Sequence, residues 1–86
     1  MTTMEYVDDP ASVTALMKAD GDLTVQKVTW RNKRYTITAT GRQWDEEAGR
    51  SVLVEASDGT RLELQLSRQD FVWRVKRVWR EQLAAA

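Results

Sequence analysis

The stretch Trp30-Arg31-Asn32-Lys33-Arg34-Tyr35 constrains this chain most, because apolar and polar residues alternate on both sides of a turn-forming centre. Period-two alternation marks a half-buried strand, so the stretch predicts a β-hairpin. With Asn32 and Lys33 as the loop residues, Trp30 faces Tyr35, Val28 faces Ile37 and Gln26 faces Ala39, which makes one face largely apolar. Lys27, Thr29, Arg31, Arg34, Thr36 and Thr38 fall on the other face. Asn tolerates the positive φ that a type I′ turn requires at its first position.

A second hairpin surrounds Ser57-Asp58-Gly59-Thr60. A two-residue Asp-Gly loop would set Leu62 against Glu55 and Val54 against Glu63, mixing the two faces. A three-residue loop with Gly59 in the left-handed region pairs Val54 with Leu62, Val52 with Leu64 and Glu55 with Arg61. Such pairs are each worth about 0.2–1 kcal/mol, so packing decides for the bulged hairpin. Leu23 and Val25 have the opposite parity to Val28 and Trp30, as Trp44 has to Tyr35 and Ile37, and a bulge or bend reconciles each set. Gly41 is placed to make one in the second strand.

The remaining elements follow from local signals. Residues 1–9 are acidic and polar, with only Tyr6 and Val7 to pack, and read as a loosely ordered arm or an edge strand. Asp9-Pro10 is a helix start, Val13, Leu16 and Met17 share one helical face, and Asp20-Gly21 is a stop, which predicts a helix over 10–19. Strands are expected at 23–31, 34–44, 50–57, 60–66 and 70–78. Segment 70–84 also fits a helix that gathers Phe71, Val75, Val78, Trp79 and Leu83, and this is the alternative. The expected fold is one domain over 1–86, mainly β. It is a five-stranded, strongly bent antiparallel sheet or SH3-like small barrel over 23–78, with one short N-terminal helix and a tail at 81–86.

With 42% hydrophobic residues and four Trp, such a chain buries a small core. Having neither Cys nor His, it lacks disulfides, thiol nucleophiles, imidazole bases and ordinary structural zinc sites. Asp45-Glu46-Glu47 lacks the spaced ligands of a calcium loop, and no spacing forces two carboxylates together for acid–base work. The expectation is therefore a non-enzyme with no catalytic residues, metal or cofactor. No segment resembles a signal peptide or a span of about 20 apolar residues, so a cytoplasmic location without membrane contact is expected.

Net charge is zero, but it is a cancellation of blocks. Residues 1–22 carry one base and five acids, and 23–44 carry five bases and no acid. Residues 67–86 carry five bases and two acids.

Trp30-Arg31-Asn32-Lys33-Arg34-Tyr35, Trp44, and the ending Trp73-x-Val75-x-Arg77-Val78-Trp79 resemble a small family of uncharacterised bacterial domains. That family carries a W-R-x-[RK]-[RK]-Y motif and a W-x-[LV]-x-R-V-[YW] ending, and the resemblance covers about residues 25–80. Many members have Gly at the position of Asn32, in keeping with positive φ there. The family has no established activity, and some members are encoded near error-prone DNA-repair polymerases.

Two functional readings follow. In the first, the domain is a protein-interaction or accessory module that presents Trp44 and Trp79 to a partner protein, while Trp30 and Tyr35 pack the core. In the second, it is a nucleic-acid-binding small β-barrel whose basic strand face contacts phosphates. That face would hold Lys27, Arg31, Lys33, Arg34 and Arg42, joined by Arg74, Lys76, Arg77 and Arg80 if the last strand lies beside the first. A homodimer through an exposed strand is the oligomer that so small a core invites.

Overall fold

In a computed structural model, which describes residues 2–81, all of the regular structure is β. The strands are β1 (Thr2–Pro10), β2 (Ser12–Met17), β3 (Leu23–Trp30), β4 (Lys33–Asp45), β5 (Gly49–Ala56), β6 (Arg61–Ser67) and β7 (Trp73–Glu81). They form one antiparallel sheet in the order β1-β7-β6-β5-β4-β3-β2. Its two ends are consecutive halves of one run of chain. The first half pairs with β7 and the second with β3, and the Ala11 N–H at the corner donates to the Trp73 carbonyl at 2.9 Å. The sheet thus curls until its opposite ends meet in a single bent stretch.

This overturns the five-stranded sheet or small barrel with an N-terminal helix. Residues 12–17 of the expected helix are strand β2 instead. Asp9 is not a helix cap, because its carboxylate accepts from the Trp30 indole N–H at 3.0 Å and from Arg31 Nε at 2.8 Å. Pro10 ends β1 at the corner, where a missing N–H costs little. The helical spacing of Val13, Leu16 and Met17 has no packing behind it. Val13 reaches the core while Leu16 and Met17 are both 57% exposed. Of the two forms read for residues 1–9, residues 2–9 take the strand. The helical alternative at 70–84 fails over 73–81, which is β7. Residues 82–86 of the expected tail lie outside the described residues.

The five expected strands correspond to β3 through β7, and the register of each hairpin shows what set it. In the β5–β6 hairpin, Val54 pairs with Leu62, Val52 with Leu64 and Glu55 with Arg61, and Gly59 has φ 89°. These are the pairs that packing predicts. In the β3–β4 hairpin the loop is Arg31-Asn32 (φ 51° and 63°), not Asn32-Lys33, so Trp30 pairs with Lys33 and Val28 with Tyr35. The turn is type I′ as expected, with Asn32 at its second position. A slip of two residues keeps every side chain on its own face, so apolar patterning alone does not distinguish the two registers. Trp30 and Tyr35 still meet diagonally, with ring centroids 6.5 Å apart.

Both parity conflicts are resolved by bulges. One lies in β3 at Gln26, where the pairing with β2 shifts, and another in β4 between Thr40 and Gln43, which brackets Gly41. A further shift near Thr38 bends β4 toward β5 and away from the first half of β3. Side chains bridge the separation. Gln43 accepts from Leu23 N at 2.9 Å and donates to its carbonyl at 2.6 Å, and the Thr40 hydroxyl accepts from Val25 N at 3.1 Å. The core inside the curl includes Val28, Trp30, Val52, Leu62, Leu64 and Val75, all at most 2% exposed. Each large apolar side chain contributes roughly 1.5–3 kcal/mol by leaving water.

Candidate functional site

The basic residues do not form one patch. Arg31 binds Asp9 at 2.8 Å with its guanidinium 4.5 Å from the Trp30 ring, and Lys33 binds Asp58 at 3.2 Å while lying 4.9 Å from the Tyr35 ring. Arg74 binds Asp70 and Lys76 binds Asp8, both at 2.9 Å. β7 sits between β1 and β6 and not beside β3, so Arg74 and Lys76 do not extend the basic face of β3 and β4. Lys27, Arg34 and Arg42 of that face are exposed with no carboxylate partner among the described residues. Arg42 lies over Trp44, 5.4 Å from its ring.

Carboxylate acidity reports the same neutralisation. Asp9 is held below the ordinary range first by the Trp30 indole N–H and then by Arg31. The Thr60 backbone N–H lowers Asp58, and Arg74 lowers Asp70 and is itself raised by it. Two of the three acids at 45–47 are engaged within the protein. Asp45, lowered by Arg50, binds Arg50 at 2.9 Å and Arg68 at 3.5 Å, while Glu46 accepts from the Trp44 indole and from Gln65. Among the described residues no three His, Cys, Asp or Glu side chains are grouped to hold a metal.

The two tryptophans read as partner contacts lie on one outer face. Strand alternation puts Leu53, Glu55, Arg61 and Glu63 opposite the core residues Val52, Val54, Leu62 and Leu64. Cross-strand pairing then builds two adjacent rows: Ala39–Glu55–Arg61–Trp79–Met4, and Leu53–Glu63–Arg77–Tyr6. Arg77 links them. Its Nε binds the nearly buried Glu63 at 3.1 Å, and its guanidinium lies 5.5 Å from the Tyr6 ring and 5.9 Å from the Trp79 ring. Tyr6 is 71% exposed and Met4 43%. Beside them Trp79, Leu53, Ala39 and Gly41 line a shallow apolar groove rimmed by the Glu55–Arg61 ion pair. Trp44, half-buried on the same face, closes a third row with Ser51, Gln65 and Arg74.

Sequence reasoning missed Tyr6 and Met4 as surface residues of one site, and it assigned Arg77 to a basic phosphate-contacting face, whereas Arg77 pairs with Glu63 and lies against Tyr6 and Trp79. The alternation Met4-x-Tyr6-x-Asp8 was the available signal, but it acquires meaning only when β1 is known to lie against β7. No helix among the described residues is long and apolar enough to cross a membrane. Comparison of the chain with family models, with curated proteins and with solved structures gives no match, so the geometry alone carries the functional argument.

Proposed function

We propose that this domain is a small non-catalytic protein-interaction or accessory module that docks a partner protein on the outer face of β1, β7, β6 and β5. The observation that carries this reading is the Tyr6–Arg77–Trp79 stack fixed from below by Glu63. Tyr, Trp, Met and Arg are the residue types enriched in interface centres, and Lys, Glu and Ala are depleted there. The two rows contain four of the enriched residues with a second arginine, Arg61, and no lysine, and their two glutamates are neutralised by Arg61 and Arg77. Arg77 is held in place before any partner arrives, which lowers the ordering cost of binding. The same reading takes the domain to be cytoplasmic and, through its motif resemblance, akin to uncharacterised bacterial domains.

The test is affinity capture with the wild-type chain, a Tyr6→Ala/Trp79→Ala variant and a Lys27→Ala/Arg34→Ala variant, each checked for folding by NMR. Sedimentation detects a second copy of the chain as partner. The reading expects a protein retained by the wild type and by the second variant but lost, at least tenfold, from the first. Equal retention by all three folded proteins overturns it.

A further inference from the structure

A different surface carries unspent polar groups of another kind. On the outer face of β2, β3 and β4, the rows Thr14–Lys27–Thr36 and Ser12–Thr29–Arg34 lie side by side. They line one open groove, which continues past Ser12 and Thr29 to Arg31 and Asn32. Alternation along β3 makes this face, sending Lys27 and Thr29 outward while Val28 and Trp30 enter the core.

Two observations distinguish the groove. The first is charge. Arg31, Lys33, Arg50, Arg61, Arg68, Arg74, Lys76 and Arg77 each have a carboxylate within 3.5 Å, whereas Lys18, Lys27, Arg34, Arg42 and Arg80 have none among the described residues, and of these five Lys27 and Arg34 line one groove together. No acid lines the groove around them. The second is the set of hydroxyls. Thr38 and Thr40 use theirs on backbone groups of β5 and β3, but Ser12, Thr14, Thr29 and Thr36 present theirs to the groove. Unpaired cations interleaved with small donors suit an oxyanion whose charge repeats along a line. From Lys27 to Arg31 the strand rises roughly 13 Å, enough for more than one phosphate.

We infer that this groove binds the phosphodiester backbone of a nucleic-acid strand. Lys27 and Arg34 neutralise phosphates and release their counterions, and the hydroxyls donate to non-bridging oxygens. The one aromatic residue lining the groove, Tyr35, is only 4% exposed and packs in the core, so it offers no free ring face on which a base could stack. Recognition is therefore independent of sequence, with dissociation constants of about 10⁻⁴ to 10⁻⁶ M. Two phosphate contacts on a single strand give a salt slope of about −1.4, so affinity falls roughly sevenfold between about 50 and 200 mM salt.

The experiment is an amide-shift titration of the intact chain with a short oligo-dT strand and, separately, with inorganic phosphate, at both salt concentrations. The same titrations are run on Lys27→Ala and Arg34→Ala, whose own spectra report folding. The inference expects oligo-dT shifts confined to residues 12–14, 27–29 and 34–36 that weaken sevenfold with salt, and a slope halved in either variant. Shifts that are absent at low salt, insensitive to salt, unchanged in the variants, or centred on Tyr6 and Trp79 overturn it. Inorganic phosphate binding the same residues as tightly as the strand also overturns it, reducing the groove to a free-anion site.

Discussion

The hairpins joining β2 to β3 and β5 to β6 close in the same way although one is flanked by core residues on both sides and the other only on its β3 side. In each, a glycine at φ near 90° donates back to the carbonyl three residues before it: Gly21 to Lys18 at 2.9 Å, and Gly59 to Ala56 at 3.0 Å. The aspartate before it caps the N–H two residues on, at 3.0 Å from Asp22 and 2.9 Å from Thr60. Yet the β5–β6 turn follows buried Val54 and precedes buried Leu62, while the β2–β3 turn follows exposed Leu16 and Met17 and precedes buried Leu23. Asp-Gly chemistry thus fixes a turn locally, whatever the flanking strands bury. The β6–β7 loop repeats the arrangement with Asp70 capping Val72 N at 3.1 Å, but Phe71 takes the left-handed place at φ 56° and is 77% exposed.

Substitutions test whether the parallel is real. The largest effect belongs to a glycine of another kind. A Cβ on Gly49 would lie 1.9 Å from the Leu66 carbonyl oxygen, whereas nothing lies within 4 Å of one on Gly21 or Gly59. Gly49→Ala should therefore lower unfolding stability by about 3 kcal/mol or more in urea titration. A loss no greater than that of Gly59→Ala would erase the distinction between steric and conformational glycines. Gly59→Ala and Gly21→Ala should each lose about 1–2 kcal/mol, the penalty of left-handed backbone alone. A cost at one site and none at the other would break the parallel. Phe71→Gly should raise stability by about 0.5–1 kcal/mol, because relief of the left-handed strain outweighs the added freedom of the unfolded chain.

The smallest effect is in pH. Asp58, capping Thr60 N, and Asp70, paired with Arg74, have folded-state pKa values depressed below the unfolded value of about 3.9. The unfolded chain therefore binds more protons in acid. Their contribution is present in full above that value and is lost as pH falls through the folded-state values. Melting temperature should stay level down to about pH 5 and decline below pH 4, less steeply in Asp58→Asn. A decline of equal slope in that variant would show that Asp58 has no part in it.

The same turns explain what could be read before the fold was known. The Asp58-Gly59 hairpin was legible because, of the two-residue and three-residue loops around Asp58-Gly59, only the longer pairs Val52 and Val54 with Leu64 and Leu62. Asp20-Gly21 was not, because Asp-Gly ends helices as well as joining strands, and Val13, Leu16 and Met17 happen to have helical spacing. Core placement of Trp30 and Tyr35 and the bulge near Gly41 followed from alternation alone. The charge pairing did not, because Asp8 and Asp9 find Lys76 and Arg31 only through the pairing of β1 with β7 and the corner at Ala11. The outer tryptophans could be named from parity, but Tyr6 and Arg77 could join them only once that strand order was known.

The closure at Ala11 also sets an order of events. Thr2 pairs with Glu81, so β1 waits for nearly the whole chain before it finds its partner, whereas the hairpins from β2 to β7 form between near neighbours. Loop closure over such a separation makes β1 docking the slow, late step of folding. A chain emerging from a ribosome would hold a folded meander with its first strand still free, until synthesis of β7 let the corner turn and the curl seal. Pulsed hydrogen exchange during refolding should accordingly protect the amides of β5 and β6 before those of β1. Simultaneous protection would show that the corner forms with the hairpins.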